Sequence, residues 1–305
     1  MERGVEAILE RERMRSDRAD AADAPDRWTR IEPAASFGAA DLRELWRHRE
    51  LVGFLALRDV KVRYKQSLLG VGWAVLQPLL TMLIFTLLFR GLFGPDRMPG
   101  APGVPYALST YCALVPWQLF ATALTASGNS LVANQQLVTK VYFPRLAIPL
   151  APILAALVDF ALAFGMLLAL MGILGVPLGA GIALAPLLAL LAAVTAFAIS
   201  LWLSALNALY RDVRHAIPFL VQIWMFATPV VYGSDRLLAG REPWVQWIYG
   251  LNPMTGVVEG CRWALLGTAA PTPEMLLASA LSVSGILIGG LYFFKRMERR
   301  FADEI

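Results

Sequence analysis

The sequence predicts an all-α integral membrane protein with six transmembrane helices, an N-terminal amphipathic interface helix and short re-entrant outer helices before the last span. Three observations predict it. Of 305 residues, 57% are apolar and 16% charged, against roughly 45–50% and about 25% in an ordinary soluble domain. The apolar residues gather in six stretches, each near the ~20 residues that cross a bilayer, and the mean hydropathy is +0.57. The basic residues collect at the chain ends and in short loops, as the cytoplasmic flanks of membrane spans do. Soluble enzymes and DNA-binding modules are excluded, and no nucleic-acid partner is expected, although the net charge is +4 and the isoelectric point near 9.2.

Residues 1–40 mix acids and arginines, as in Glu10-Arg11-Glu12-Arg13, with Ala and Pro, and hold no apolar run able to serve as a signal peptide. They predict a disordered cytoplasmic extension. From Asp41 the spacing turns helical: Phe54, Leu57, Val60, Tyr64 and Leu68 recur every three or four residues, with Arg58, Lys61 and Lys65 on another face. Such a helix lies on the membrane surface. The spans follow at about 71–93, 104–126, 147–172, 181–206, 216–232 and 275–294. The fifth is short and needs apolar loop residues or local bilayer thinning to cross.

Placing both termini in the cytoplasm puts 22 of the 27 Lys and Arg residues inside and leaves Arg90, Arg97, Arg236, Arg241 and Arg262 outside, the distribution the positive-inside rule favours. The membrane domain then covers 41–300, and 301–305 form a cytoplasmic tail. Between the last two spans, Trp244, Trp247, Tyr249, Asn252, Pro253 and Trp263 accompany an apolar stretch, Thr255 to Leu266, too short to cross. Trp and Tyr favour the interface, so this region reads as two short helices dipping into the outer boundary. An ordinary folded outer loop is the alternative.

Little in the chain supports catalysis. Two cysteines, Cys112 and Cys261, and two histidines, His48 and His215, suit neither a disulfide framework nor a metal centre. The four lysines follow Val60, Tyr64, Thr139 and Phe294, whereas a phosphate-binding loop places Gly before Lys. Any ATP hydrolysis, with its Mg, belongs to another chain, and no cofactor is expected on this one. Asp159 stands inside the third apolar stretch, where a carboxylate must be paired, protonated or facing water. A structural hydrogen bond and a proton or substrate role both remain open for it, while Arg90 reads as a snorkelling residue.

Phe85, Phe89 and Phe93 recur every four residues along the first span, and the fifth offers Phe219, Trp224, Phe226 and Tyr232. These aromatics are packing or lipid contacts, or they line a channel; flat rings suit the C–H faces of sugars. The polar loop from Ser127 to Pro144 keeps Leu131, Val132, Leu137, Val138 and Val141 at helical spacing. Such an amphipathic segment docks on a soluble partner or rests on the membrane.

Four motifs carry a family resemblance. They are Arg58-Asp59-Val60-Lys61-Val62-Arg63-Tyr64-Lys65 through Gly70 and on to Trp73-Ala74-Val75-Leu76-Gln77-Pro78; Lys140-Val141-Tyr142-Phe143-Pro144-Arg145; Tyr210-Arg211-Asp212-Val213-Arg214-His215; and Asn252-Pro253-Met254-Thr255-Gly256 leading to Arg262-Trp263-Ala264-Leu265-Leu266-Gly267. Over about 41–300 the chain resembles the permease subunits of type-2 ABC transporters that export O-antigen, teichoic acid and capsular polysaccharide. The resemblance implies a homodimer in the bacterial inner membrane working with two copies of a cytoplasmic ATPase. It implies a cargo of polyprenyl diphosphate-linked glycan threaded between the protomers.

It further implies an ATPase-coupling helix at Asn134, Gln135, Leu137, Lys140, Val141 and Tyr142, and outer helices capping the pore around Asn252, Pro253, Glu259 and Arg262. Arg58, Lys61, Arg63 and Lys65 become candidates for holding the lipid diphosphate at the inner leaflet, or they merely fix topology. Two rival readings are a type-2 permease for drugs or small lipids and a membrane-embedded glycosyltransferase, the latter lacking clustered acids.

Overall fold

The computed structural model describes residues 38–65, 69–93, 104–140, 143–233, 242–298 and 301. Residues 1–37 of the N-terminal extension, Val141, Tyr142 and residues 302–305 of the tail lie outside this set. Twelve α-helices occur among the described residues: α1 Ala39–Arg47, α2 Arg49–Lys65, α3 Gly72–Phe93, α4 Tyr106–Gly128, α5 Ser130–Ala133, α6 Gln135–Lys140, α7 Ala147–Ile173, α8 Ala185–Leu209, α9 Val213–Ala227, α10 Pro243–Gly250, α11 Pro253–Leu266 and α12 Pro273–Met297. A single-turn 3-10 helix, Ala180–Leu184, leads into α8.

Among the described residues, five helices are long and apolar enough to cross a membrane: α3, α4, α7, α8 with its 3-10 lead, and α12. The fifth expected span is the 15-residue α9, short of the ~20 residues that cross a bilayer, followed by the non-helical Thr228–Tyr232. The segment expected as the outer loop is helical over Pro243–Gly250 and Pro253–Leu266, as α10 and α11.

Helix α4 is the hub. Of its 23 residues 17 are buried, against 6% of the Gly72–Phe89 stretch of α3, because α7, α8, α11 and α3 all pack on it. Lipid is as apolar as leucine, so close approach of small residues has to drive such packing. The sequence supplies them: Ala185, Ala189, Ala192, Ala193, Ala196, Ser200 and Ser204 form a buried stripe down α8. On its other side Trp202 lies over Gly289 and Gly290 of α12, donates from Nε1 to the Ile286 carbonyl at 3.0 Å, and stacks on Phe293 at 4.8 Å.

Helix α2 departs from expectation. Its packed stripe is Val52, Leu55 and Ala56, while Phe54 and Leu57 of the predicted apolar face remain 67% and 61% exposed. Both sides of the helix carry apolar residues: the side that periodicity assigned to the membrane surface is left exposed, and the other packs on protein. Leu55 and Ala56 meet Ala151 of α7, and Arg63 and Tyr64 meet Asp159. The offset is eight residues on each helix, so α2 runs beside α7 in the same direction for about 12 Å instead of crossing it flat. Gly70, at φ +50°, makes the turn from α2 into α3 in a left-handed conformation that residues with a Cβ avoid.

Candidate functional site

At one end of the bundle, α2 is fastened to two other elements. Arg58 donates to Asp59 Oδ1 at 2.8 Å and to Asn134 Oδ1 at 2.9 Å, tying α2 to the junction of α5 and α6. Asn134 is held in turn by its own donation to the Ser130 carbonyl at 2.9 Å. Seven residues after Arg58 would be Lys65; on the way, Arg63 forms an ion pair with Asp159 and the Tyr64 hydroxyl donates to the other carboxylate oxygen. Asp159 is therefore paired, and both its oxygens are used.

This pair edges a cavity of about 260 Å³ between α2, α3, α4 and α7, whose polar lining includes Gln77, Gln118 and Thr122 as well as Trp73. Nearby, Gln135, Leu137 and Lys140 follow Asn134 on α6, with Val138 buried. The same end is closed by a charged latch. Lys295 contacts Asp41 at 2.8 Å and Glu298 at 2.9 Å, and Arg145 donates to the Glu298 carbonyl. Phe301, the first residue of the expected cytoplasmic tail, is buried against Phe294 with ring centres 5.4 Å apart.

At the opposite end, α9 stops at Ala227 and the chain continues without regular hydrogen bonds. Backbone carbonyls freed in an apolar setting must find donors within the protein, and side chains of α4 and α11 provide them. Asn252 Nδ2 donates to the Ala227 carbonyl at 3.1 Å and to Thr228 Oγ1 at 2.9 Å. Arg262 donates to the Val230 carbonyl at 2.7 Å, the Tyr232 carbonyl at 3.0 Å and Glu259 at 3.2 Å, and reaches the Ser109 carbonyl of α4. Tyr106 donates to the Val231 carbonyl at 2.9 Å.

Asn252 also opens α11. Its Oδ1 caps the Met254 N–H at 3.1 Å, Pro253 sits in the first turn where its missing N–H is harmless, and the Trp224 indole donates to the same Oδ1 at 2.9 Å. Tyr249 donates to the Tyr232 hydroxyl at 3.1 Å.

Against this geometry, a profile of the family described as ABC-2 type transporter matches residues 50–266, which takes in α2 through α11. The chain belongs to the ABC-2 type transporter family. It is similar to the O-antigen export system permease protein RfbA of Myxococcus xanthus, 29% identical over 268 residues that cover 87% of this chain and 98% of that protein. Two proteins of the same name from Klebsiella pneumoniae are each 29% identical and each match 83% of this chain and 94% of their own length.

Within this ABC-2 type chain the predicted residues fall into distinct places. Asn252, Pro253, Glu259 and Arg262 come together, joined by Trp224 and Tyr232 from the aromatic set. Phe85 and Phe89 pack on the central core, their rings edge to face at 6.5 Å, whereas Phe219 and Phe226, one above the other on α9, are 63% and 59% exposed. The four basic candidates of α2 split: Arg58 and Arg63 are committed to protein partners, and Lys61 and Lys65 are exposed. Gln77, Gln118, Thr122 and Trp73 were missed. A polar residue inside an apolar span was the available signal for Gln77, Gln118 and Thr122; Trp73, at the start of α3, carries none.

Proposed function

We propose that this chain is the membrane-spanning permease subunit of an ABC exporter that moves a lipid-linked envelope polysaccharide, such as O-antigen or teichoic acid, across the cytoplasmic membrane. The supporting observation is the likeness to permeases named for O-antigen export over 83–87% of the chain. In this reading ATP and Mg are bound by a separate cytoplasmic ATPase, present in two copies, and this chain does no catalysis itself.

The end that carries α1, α6 and the Lys295 latch faces the cytoplasm, in keeping with the Lys and Arg distribution, and both termini lie there. Helix α9 rises about 22 Å, and Thr228–Tyr232 completes the sixth crossing of the ~30 Å hydrocarbon core. Helices α10 and α11 sit at the outer boundary, where Asn252, Pro253, Glu259 and Arg262 gate the exit.

The exposed apolar faces of α3, with Ile84, Leu87 and Leu88, and of α9, with Phe219, Ile223 and Phe226, support a second copy of the chain and a channel between the two. Helix α6, with Val141 and Tyr142 of the same motif, docks on the ATPase. Closure of the ATPase shifts the permease only if this contact differs between its states. The Arg58–Asn134 bond then carries the displacement of α6 into α2, and the Asp159 pairing carries it into α7. Lys61 and Lys65 remain available to hold the carrier diphosphate at the inner leaflet.

The deciding experiment depletes the protein in its host and follows lipid-linked glycan by fractionation and surface labelling. Loss of surface polymer with full-length lipid-linked chains inside supports export. An unchanged glycan distribution rejects it and favours an exporter of drugs or small lipids.

A further inference from the structure

The cavity between α2, α3, α4 and α7 is unlike the rest of the membrane domain. Gln77, Gln118 and Thr122 come from two helices to line one space of about 260 Å³, and among the described residues their side chains have no protein hydrogen bond. Pro78 adds a further acceptor: lacking an N–H, it leaves the carbonyl of Ala74, another wall residue, without its ordinary helical partner. Hydrocarbon cannot satisfy such groups, so the polar part of the wall is met by water or by a hydroxylated ligand, while Val115, Leu119 and Phe160 line the rest.

Three properties narrow the occupant. Asp159 compensates Arg63, so the walls carry no net charge and offer an anion no advantage. The volume lies just below the ~300 Å³ at which sites for drug-sized molecules begin, enough for about eight waters and too small for a prenyl chain. Trp73, half exposed at the wall, supplies a flat apolar surface beside planar amides, the combination that matches a sugar ring with its apolar faces and equatorial hydroxyls.

We propose that this cavity is a sugar subsite, taking one pyranose unit of the lipid-linked glycan next to its carrier. The assignment rests on the export reading above. It places recognition inside a single protomer, with the diphosphate outside the cavity at Lys61 and Lys65, on the exposed side of α2.

The test uses the full chain in nanodiscs and two probes, a short-prenyl diphosphate bearing a single hexose and the same diphosphate without it. The hexose probe binds more tightly, and Gln118→Leu and Thr122→Val each lower its affinity about fivefold, the effect of one lost hydrogen bond, without altering the affinity of the bare diphosphate. Neither substitution breaks a protein hydrogen bond, so thermal stability is unchanged. In a chain with Cys112 and Cys261 replaced by Ala, the hexose probe also shields a Gln118→Cys thiol from a water-soluble thiol reagent. Equal affinity for the two probes, or variants that bind both as the parent does, overturns the subsite. If this happens while depletion still removes surface polymer, the export reading stands and only the subsite falls.

Discussion

Replacing Asp159 with Leu strands the Arg63 guanidinium at the cavity wall and removes the acceptor of the Tyr64 hydroxyl. Losing one partner of a buried ion pair costs about 3–5 kcal/mol. Arg63 keeps 29% of its side-chain exposure and Asp159 18%, so water reclaims part of the deficit and the expected loss is about 2–3 kcal/mol. Arg63→Met is expected to lose somewhat less, because Tyr64 still donates to the remaining carboxylate. The double variant Arg63→Met/Asp159→Leu exchanges the pair for apolar groups, a change that is often neutral, and should unfold within about 1 kcal/mol of the parent. The thermodynamic cycle then gives a coupling of about 3 kcal/mol. Reversible unfolding in mixed SDS micelles, followed by tryptophan fluorescence, measures all four proteins. A double variant as unstable as the sum of the two single ones would refute the pairing as the source of this stability.

Arg262→Lys should fail to replace the planar fork that serves Val230, Tyr232 and Glu259 together, with a loss of about 3 kcal/mol or more and faster hydrogen exchange at residues 228–232; parent-like protection there would contradict the clamp. At Gly290 an added Cβ would lie 2.9 Å from the Ala198 carbonyl oxygen and 2.9 Å from Trp202 Nε1, while Gly285 has open space. Gly290→Ala should therefore destabilise by about 1–3 kcal/mol and Gly285→Ala stabilise by about 0.5–1 kcal/mol, a contrast that thermal unfolding reads directly. Arg58→Ala and Asn134→Ala should impair export by similar factors and the double variant little further, since both remove one bond; multiplicative losses in surface polymer would argue against a shared link.

The Asp41 carboxyl supplies a pH dependence. Burial raises its pKa, but hydrogen bonds from Lys295 and the Gly38 N–H outweigh that and hold it below the ordinary 3.8. A depressed folded value means the latch contributes fully above 3.8 and fades as the pH falls through the lowered value. Protection of the α1 amides should drop in that acid range, and Lys295→Met should weaken the dependence, leaving only the part that the Gly38 N–H sustains.

The long helices were legible because each is a run of apolar residues between polar punctuation: the stretch read as 147–172 is Ala147–Ile173, and 275–294 lies inside Pro273–Met297. The short helices before the last span were legible from an apolar stretch, Thr255 to Leu266, too short to cross and accompanied by Trp and Tyr; in the structure Pro253 stands in the first turn of α11 and Gly267 at its left-handed cap. Less legible was anything that depends on a distant partner. Asp159 signals that it needs a counter-charge, yet nothing near it in the chain says that Arg63, 96 residues away, provides one. The same holds for Arg262, an outer-loop arginine by position and a buried donor to four groups in space. The packing side of α2 was hidden because its alternative faces differ little in hydropathy.

The uneven burial of α4 and α3 has a consequence for how such a permease can diversify. Nearly every substitution in α4 disturbs three or four neighbours at once, so its sequence is bound to the integrity of the whole protein. Side chains such as Ile84, Leu87 and Leu88 on α3 touch little of their own chain and can be exchanged at small risk to the fold of the single protomer. A lineage facing a new cargo can therefore rewrite the outer surfaces of α3 and α9 through many single steps, each of them foldable, while the central helix holds still.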